Sequence, residues 1–342
     1  MDKRRATLKD VAEAVGVHVS TASRALHPKT RHLITDELAE RILTAARTLE
    51  YRPNSIAYSL RTKRSMTVGV LVPDITNPIF PPIVRGLEDV LVPRGYATLV
   101  VNTDSNPEKE ATYIHMLQGR GVDGLVVASA ERQDTALAEV FDDHLPLVAV
   151  NRKTEQPHMW AVVNDEETGI NAIVDHLVAL GHRRFAHIAG PQNLSTGFLR
   201  RKAFLARIAA LGLDWNPKLM VDAKRYSEAE GKRACDALID VGGATAIVAA
   251  NDLLALGALR ALAGRGLDCP GDVSVTGYND MPFVDRLSPA LTTVRIQSYE
   301  SGRHAAAMIL KQIETPVEAW RPTTEVLPVE LVVRGSTGPA RG

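Results

Sequence analysis

The chain has little cysteine. Cys235 and Cys269 are the only two among 342 residues, too few for a disulfide framework and spaced like no metal site. No apolar run approaches the roughly 20 residues that a membrane span needs, so no membrane contact is expected. The opening MDKRRATLKD lacks the apolar core of a secretion signal. These absences lead to the expectation of a cytoplasmic protein. The usual marks of catalysis are missing as well: no GxxxxGK, no GxGxxG opening a helix, no GxSxG and no HExxH. An enzyme is therefore not expected, nor a cofactor or metal. His176, His182 and His187 stand too far apart for one helical metal face and are read as packing or surface residues.

The net charge of zero conceals an asymmetry. Residues 1–64 carry 13 Lys or Arg against 7 Asp or Glu, about +6, which leaves the remainder about −6. A basic front on an acidic body points to different partners for the two parts, with nucleic acid the candidate for the first.

Within that front, Leu8, Val11, Ala12 and Val15 recur at i, i+3, i+4 and i+7, one face of a helix that Gly16 ends. A second helix is expected from Val19, with Ala22 and Leu26 inward. A third runs from about Thr35 to Leu49, with Leu38, Ile42, Ala45, Ala46 and Leu49 in period. Thr35 is its expected cap, and the acidic first turn favours the helix dipole. Two short helices, a glycine turn and a bracing helix describe a helix-turn-helix. The outward face of the second helix carries Val19, Ser20, Ser23 and Arg24. Hydroxyls bond phosphate oxygens, arginine bonds a guanine edge bidentately, and a small apolar group meets a thymine methyl. A three-helix bundle with a polar outer face is the other reading.

The stretch YRPNSIAYSLRTKRS, residues 51–65, predicts a short helix capped by Asn54 and followed by Arg61, Lys63 and Arg64. A helix so short needs outside support. Ile56, Ala57 and Leu60 make an apolar strip without a core of its own. It reads either as a minor-groove wedge or as a basic linker.

The segments TLKDVAEAVGVHVSTASRAL and YRPNSIAYSLRT resemble the lactose-repressor and purine-repressor family of bacterial transcription regulators. The resemblance continues through VGVLVPDITNPIF, GHRRFAHIAGP, AANDLLALGALRAL, DVSVTGYNDMP and SPALTTVR. It implies base reading by Val19, Ser20 and Arg24 and a minor-groove wedge at Leu60. Thr7, His18, Thr21, Ser23, Asn54 and Ala57 complete the expected DNA-binding set. His18 departs from the family, which usually has a serine there to cap the helix and touch phosphate.

After residue 65 the pattern becomes strand then helix. TVGVLV, ATLVV, DGLVVA and LVAV alternate with helical stretches near 82–94, 107–120 and 132–142. RFAHIAG, TAIVAA and VSVTGY follow, with helices near 167–180, 197–211, 228–240 and 252–264. Buried apolar strands separated by helices imply parallel sheets covered on both faces. The expected architecture is a small all-α helix-turn-helix domain plus an α/β body of two doubly wound parallel-sheet subdomains, a periplasmic-binding-protein-like body. The expected bounds are 1–50 for DNA binding, 51–65 for a hinge helix and linker, and 66–342 for effector binding and dimerisation. Within the body, the first subdomain spans about 66–163 plus 293–322, and the second about 164–292 plus 323–338.

Ligands of such sheets sit at the carboxyl ends of the strands. That rule marks Asp74, Asn77, Ile79 and Phe80, Asn151 and Arg152, Leu194, Ser195, Thr196 and Arg200, Asn251 and Asp252, and Asn279 and Asp280. By resemblance, effector contacts fall on Ile79, Phe80, Asn151, Thr196, Arg200, Tyr226, Asn251 and Asn279. Amides, an arginine and aromatic rings suit a polyhydroxylated ligand. Arg200 is read either as a clamp for a sugar-acid carboxylate or as part of a structural ion pair. Asp74 and Asp252 are read equally as turn or cap residues. Asn279 stands where many relatives have Asp, and its amide can donate as well as accept. The resulting expectation is a homodimeric repressor on a pseudo-palindromic double-stranded DNA operator, switched by a sugar, a sugar acid or a similar small molecule. A coiled-coil tetramer is not expected, since no apolar heptads follow ELVVRGSTGPARG. A solute-binding sensor or transport component with the same body is the alternative.

Overall fold

The computed structural model describes residues 6–27, 30–51, 64–142, 144–156 and 159–341. The chain divides into two compact units, Met1–Ser65 and Met66–Gly342.

In the first unit, α1 (Leu8–Val15) opens with a reciprocal cap. The Thr7 hydroxyl accepts from the Asp10 amide, and the Asp10 carboxylate accepts from the Thr7 amide. Gly16 closes the helix at φ 72°, the left-handed geometry that glycine adopts without a Cβ penalty. There follow α2 (Val19–Leu26), a 3-10 turn (Arg31–Leu33) and α3 (Asp36–Thr48). Val11, Ala12, Ala22, Ala25, Ala39, Ile42 and Ala46 form the core, with Leu8, Val15, Leu26, Leu38 and Leu49 packed around it. Alanines at the centre let three short helices approach closely. Thr35 occupies the cap position of α3 with extended backbone, but its side chain makes no capping bond.

The second unit begins with β1 (Thr67–Val72), α4 (Phe80–Leu91), β2 (Ala97–Asn102), α5 (Pro107–Gly119), β3 (Gly124–Val127), α6 (Thr135–Asp142), β4 (Leu147–Val150) and β5 (Trp160–Asn164). It continues through α7 (Glu166–Ala179), β6 (Phe185–Ala189), α8 (Ser195–Ala210), β7 (Met220–Asp222), α9 (Glu228–Val241), β8 (Ala246–Ala249), α10 (Asp252–Gly264) and β9 (Ser274–Thr276). The return is made by β10 (Thr293–Arg295), α11 (Ser298–Glu314), β11 (Thr324–Leu327) and β12 (Glu330–Val332).

One parallel sheet runs β11-β5-β4-β3-β1-β2, and a second runs β7-β6-β8-β9. Alternation along β1 shows the double winding. Val68, Val70 and Val72 pack with Ile83, Leu87 and Ile309 on one face, and Leu71 packs with Ile114 and Leu117 on the other. In the second subdomain, Ile188 and Ile247 pack with Leu238 and Leu254, while Phe185 and Val248 pack with Ile173 and Phe204. The helices α4 and α11 cross at glycines: a Cβ on Gly86 would stand 2.1 Å from the Tyr299 carbonyl oxygen, and one on Gly302 would stand 2.0 Å from that of Ile83.

The crossings between subdomains fall later in the chain than the expected bounds. Thr293–Arg295 pairs antiparallel with Glu330–Val332, and the Asn279 amide donates to the Val294 carbonyl. That stretch therefore belongs to the second subdomain. Thr324–Leu327 instead joins the first sheet beside β5. By pairing there, the returning chain satisfies the backbone groups along the edge of β5 away from β4.

Candidate functional site

In the first unit, α2 buries Ala22 and Ala25 and leaves Ser20, Arg24 and Val19 exposed, with Thr21 and Ser23 half-buried. His18 takes the capping place: its Nδ1 accepts from the Ser20 amide at 3.3 Å and lies 2.8 Å from the Ser20 hydroxyl. An imidazole nitrogen thus does what a serine oxygen ordinarily does at a helix start. The Thr7 hydroxyl is engaged with Asp10, so this exposed residue also holds the entry to α1. Asn54, Ala57 and Leu60 lie outside the described residues.

In the second unit, the carboxyl ends of the two parallel sheets face one cleft of roughly 250 Å³, counting space open to solvent. Asn77, Ile79, Asn151 and Arg152 line it from the first subdomain; Thr196, Arg200, Tyr226, Asn251 and Asn279 line it from the second. Turns fix these side chains. Asn77 Oδ1 accepts from the Ile79 amide at 3.3 Å, and Asn151 leaves β4 at φ 64°. Asn251 caps α10 by accepting from the Leu254 amide at 2.9 Å. The hydroxyls of Thr196 and Tyr226 meet at 3.1 Å. Gly190 makes room for that ring, since a Cβ there would stand 2.3 Å from the Tyr226 hydroxyl. Burial pushes the Tyr226 phenol up from its ordinary range.

Across the rim the subdomains touch directly. The Lys153 amide donates to Ser195 Oγ at 3.0 Å, and Arg132 Nη1 donates to the Gln192 carbonyl at 3.0 Å. The Arg132 guanidinium lies 3.7 Å from the centre of the Phe198 ring.

The two arginines of the cleft differ. Arg200 donates to Glu166 from Nε and Nη2 and to the Ala250 carbonyl from Nη1 at 2.7 Å. Its guanidinium stacks on Tyr278 at 3.7 Å. Burial works against its charge, but Glu166, Tyr226 and Tyr278 together outweigh burial and hold Arg200 above its ordinary range. Arg152 is 5% exposed, and its Nε and Nη1 have no hydrogen-bond partner. Burial presses its pKa down.

Other strand-end residues serve the fold. Phe80, expected at the effector, is buried in the core of the first subdomain and does not line the cleft; as the first residue of α4 it turns its ring under the helix. The Asp74 carboxylate accepts from the Thr76 amide in its turn. Asp252 accepts from Thr293 Oγ1 at 2.6 Å and the Met281 amide at 2.8 Å, and Asp280 pairs with Arg295 and Arg334. His187 stacks on Phe204 at 4.4 Å, and His182 bonds Thr245 and Ser274. Asn77 and Arg152 line the cleft although the resemblance does not mark them. The signal for both was their place just past a strand.

Residues 7–54 match the family model described as bacterial regulatory proteins, lacI family, and residues 174–337 match that of a periplasmic binding protein-like domain. The ribose operon repressor of Halalkalibacterium halodurans is 31% identical over 97% of this chain and 97% of its own length. The HTH-type transcriptional regulator DegA of Bacillus subtilis is 31% identical over 98% of this chain and 99% of its own. Among solved structures, a Lac repressor dimer bound to operator and the anti-inducer ONPF has a TM-score of 0.86 at 28% identity, covering 98% of this chain and all (100%) of its own. A complex of the transcriptional regulator CelR with cellobiose has a TM-score of 0.73 at 28% identity, covering 97% of this chain and 100% of its own.

Proposed function

This chain belongs to the lacI family of bacterial regulatory proteins, and we propose that it is a cytoplasmic repressor that binds a pseudo-palindromic operator as a homodimer. It is a transcriptional regulator rather than an enzyme, as its relatives are. The observation that carries the reading is the exposed face of α2, where Val19, Ser20 and Arg24 stand over buried Ala22 and Ala25. One such helix reads a half-site, and a twofold dimer presents two. We assign DNA contact to Thr7, His18, Val19, Ser20, Thr21, Ser23 and Arg24 and to Asn54, Ala57 and Leu60. Residues 1–50 would bind DNA, 51–65 would connect, and 66–342 would dimerise and hold the effector.

The effector site is the cleft, with Ile79, Asn151, Thr196, Arg200, Tyr226, Asn251 and Asn279 as contacts. Its amides and hydroxyls suit a small polyhydroxylated ligand, and the relatives named for ribose and cellobiose support a sugar-like one. Such a ligand regulates only if it binds two relative orientations of the subdomains unequally. Gel retardation of DNA upstream of the protein's own gene, with and without candidate sugars, tests the reading. Retardation that a sugar alters is the expected result. Failure to retard any native upstream segment would overturn it.

A further inference from the structure

Arg152 is the group in the cleft whose charge the protein leaves unmatched. It follows Asn151 at the end of β4, where the left-handed turn at φ 64° carries the chain from the sheet into the cleft wall. Arg200, facing it from the other subdomain, has a carboxylate on two of its nitrogens. Arg152 has no ion pair among the described residues, and two of its three nitrogens are buried without a partner. Glu110 and Glu131 act on it only at longer range, and Arg200 adds repulsion. Beside it, Asn151 Oδ1 is likewise buried and unbonded. Among the described residues no carboxylate lines the cleft, and the two charged ones that do are both arginines.

A buried, unpaired charge disfavours the fold unless something completes it. A neutral hydroxyl satisfies one N–H and leaves the charge standing. A carboxylate or a phosphate ester satisfies the charge and accepts from two N–H groups in parallel. We propose that the ligand of this cleft is anionic, a polyhydroxylated molecule bearing a carboxylate or phosphate group, and that Arg152 binds the anion while the asparagines bind the hydroxyls. The proposal rests on the reading of the cleft as the effector site. It moves the anion-binding role from Arg200, whose charge Glu166 already meets, to Arg152.

Thermal melting and titration calorimetry of the full chain test this with D-glucose, D-gluconate, D-glucose 6-phosphate, 6-phosphogluconate and inorganic phosphate. The carboxylate and phosphate arms distinguish the two sources of the charge. At least one anionic probe raises the melting temperature of the wild type and binds Arg152→Met at least about tenfold more weakly. Arg152→Lys, which keeps the charge but not the two-pronged geometry, regains part of the response. Without ligand, Arg152→Met melts at or above the wild type, because it removes an unpaired charge. Three results overturn the proposal: glucose stabilising as well as its anionic counterparts, Arg152→Met responding as the wild type does, or no anionic probe shifting the wild type at millimolar concentration. Operator retardation by the wild type is scored separately. A chain that binds DNA but fails here loses only the anion assignment, and one that binds the anion but no DNA loses only the repressor reading.

Discussion

Glu166 holds Arg200 through two hydrogen bonds, at 2.6 Å to Nε and 3.1 Å to Nη2, with the side chains 4% and 2% exposed. The pair joins the start of α7 to α8 and holds the guanidinium over the Tyr278 ring, 3.7 Å from its centre. It thereby fixes Arg200, one of the residues that line the cleft. Glu166→Gln would strand the buried charge and should lower stability by about 3–5 kcal/mol. Replacing both partners with methionine should cost less than that, because no charge is stranded. Urea denaturation measures both; a loss below about 1 kcal/mol in the single variant would show that the pair is not structural.

The His18 cap makes a local prediction. His18→Ala should cost about 1 kcal/mol, and His18→Ser should restore most of it. The readout is hydrogen exchange over residues 18–27, where the Ser20 amide loses its acceptor. Equal exchange in all three proteins would remove the capping role.

Arg24→Ala should cost about 1–3 kcal/mol on the preferred operator and little on unrelated DNA. Binding titrations on both duplexes check this. A uniform loss on every sequence would mean that Arg24 touches phosphate and not a base edge.

Asp252 gives the pH dependence. Its carboxyl is pushed up to about 7, chiefly by burial, from an ordinary 3.8. The unfolded chain releases this proton near pH 3.8 while the folded chain keeps it to about 7. Stability from the protonated form is thus full below about pH 4 and lost as pH rises through 7. Glu110, also pushed to about 7 by burial first, adds in the same direction. Asp252→Asn should therefore lose less stability than the wild type between pH 5 and 8, by on the order of 3 kcal/mol at most. Melting curves at the two values measure the difference, and identical slopes would contradict the protonated state.

Periodicity and backbone chemistry were what the sequence displayed most openly. Leu8, Val11, Ala12 and Val15 mark α1, and Gly16 marks its end, because helix geometry imposes a short repeat. The apolar strands of both sheets were legible for the same reason. The return of the chain was not: β10, β11 and β12 are short, mixed in polarity and defined by the edges they join. The 17-residue helix Ser298–Glu314 likewise has no strong mark in the sequence. Strand ends located the cleft, but they placed Phe80 there too, and only packing shows that its ring turns into the core. Glu166 and Arg200 lie 34 residues apart. Nothing local pairs them, and nothing local shows that Arg152 Nε and Nη1 are left without a partner.

On the proposed reading, the basic first unit grips duplex DNA through its phosphates and reads it with α2. Fluorescence anisotropy of a labelled upstream duplex, titrated with the full chain at about 50 and 200 mM salt, tests it most directly. Affinity should fall steeply over that range, by on the order of a thousandfold for a dimer with six or more phosphate contacts. Affinity that is unchanged by salt, or no binding at either concentration, would contradict the account.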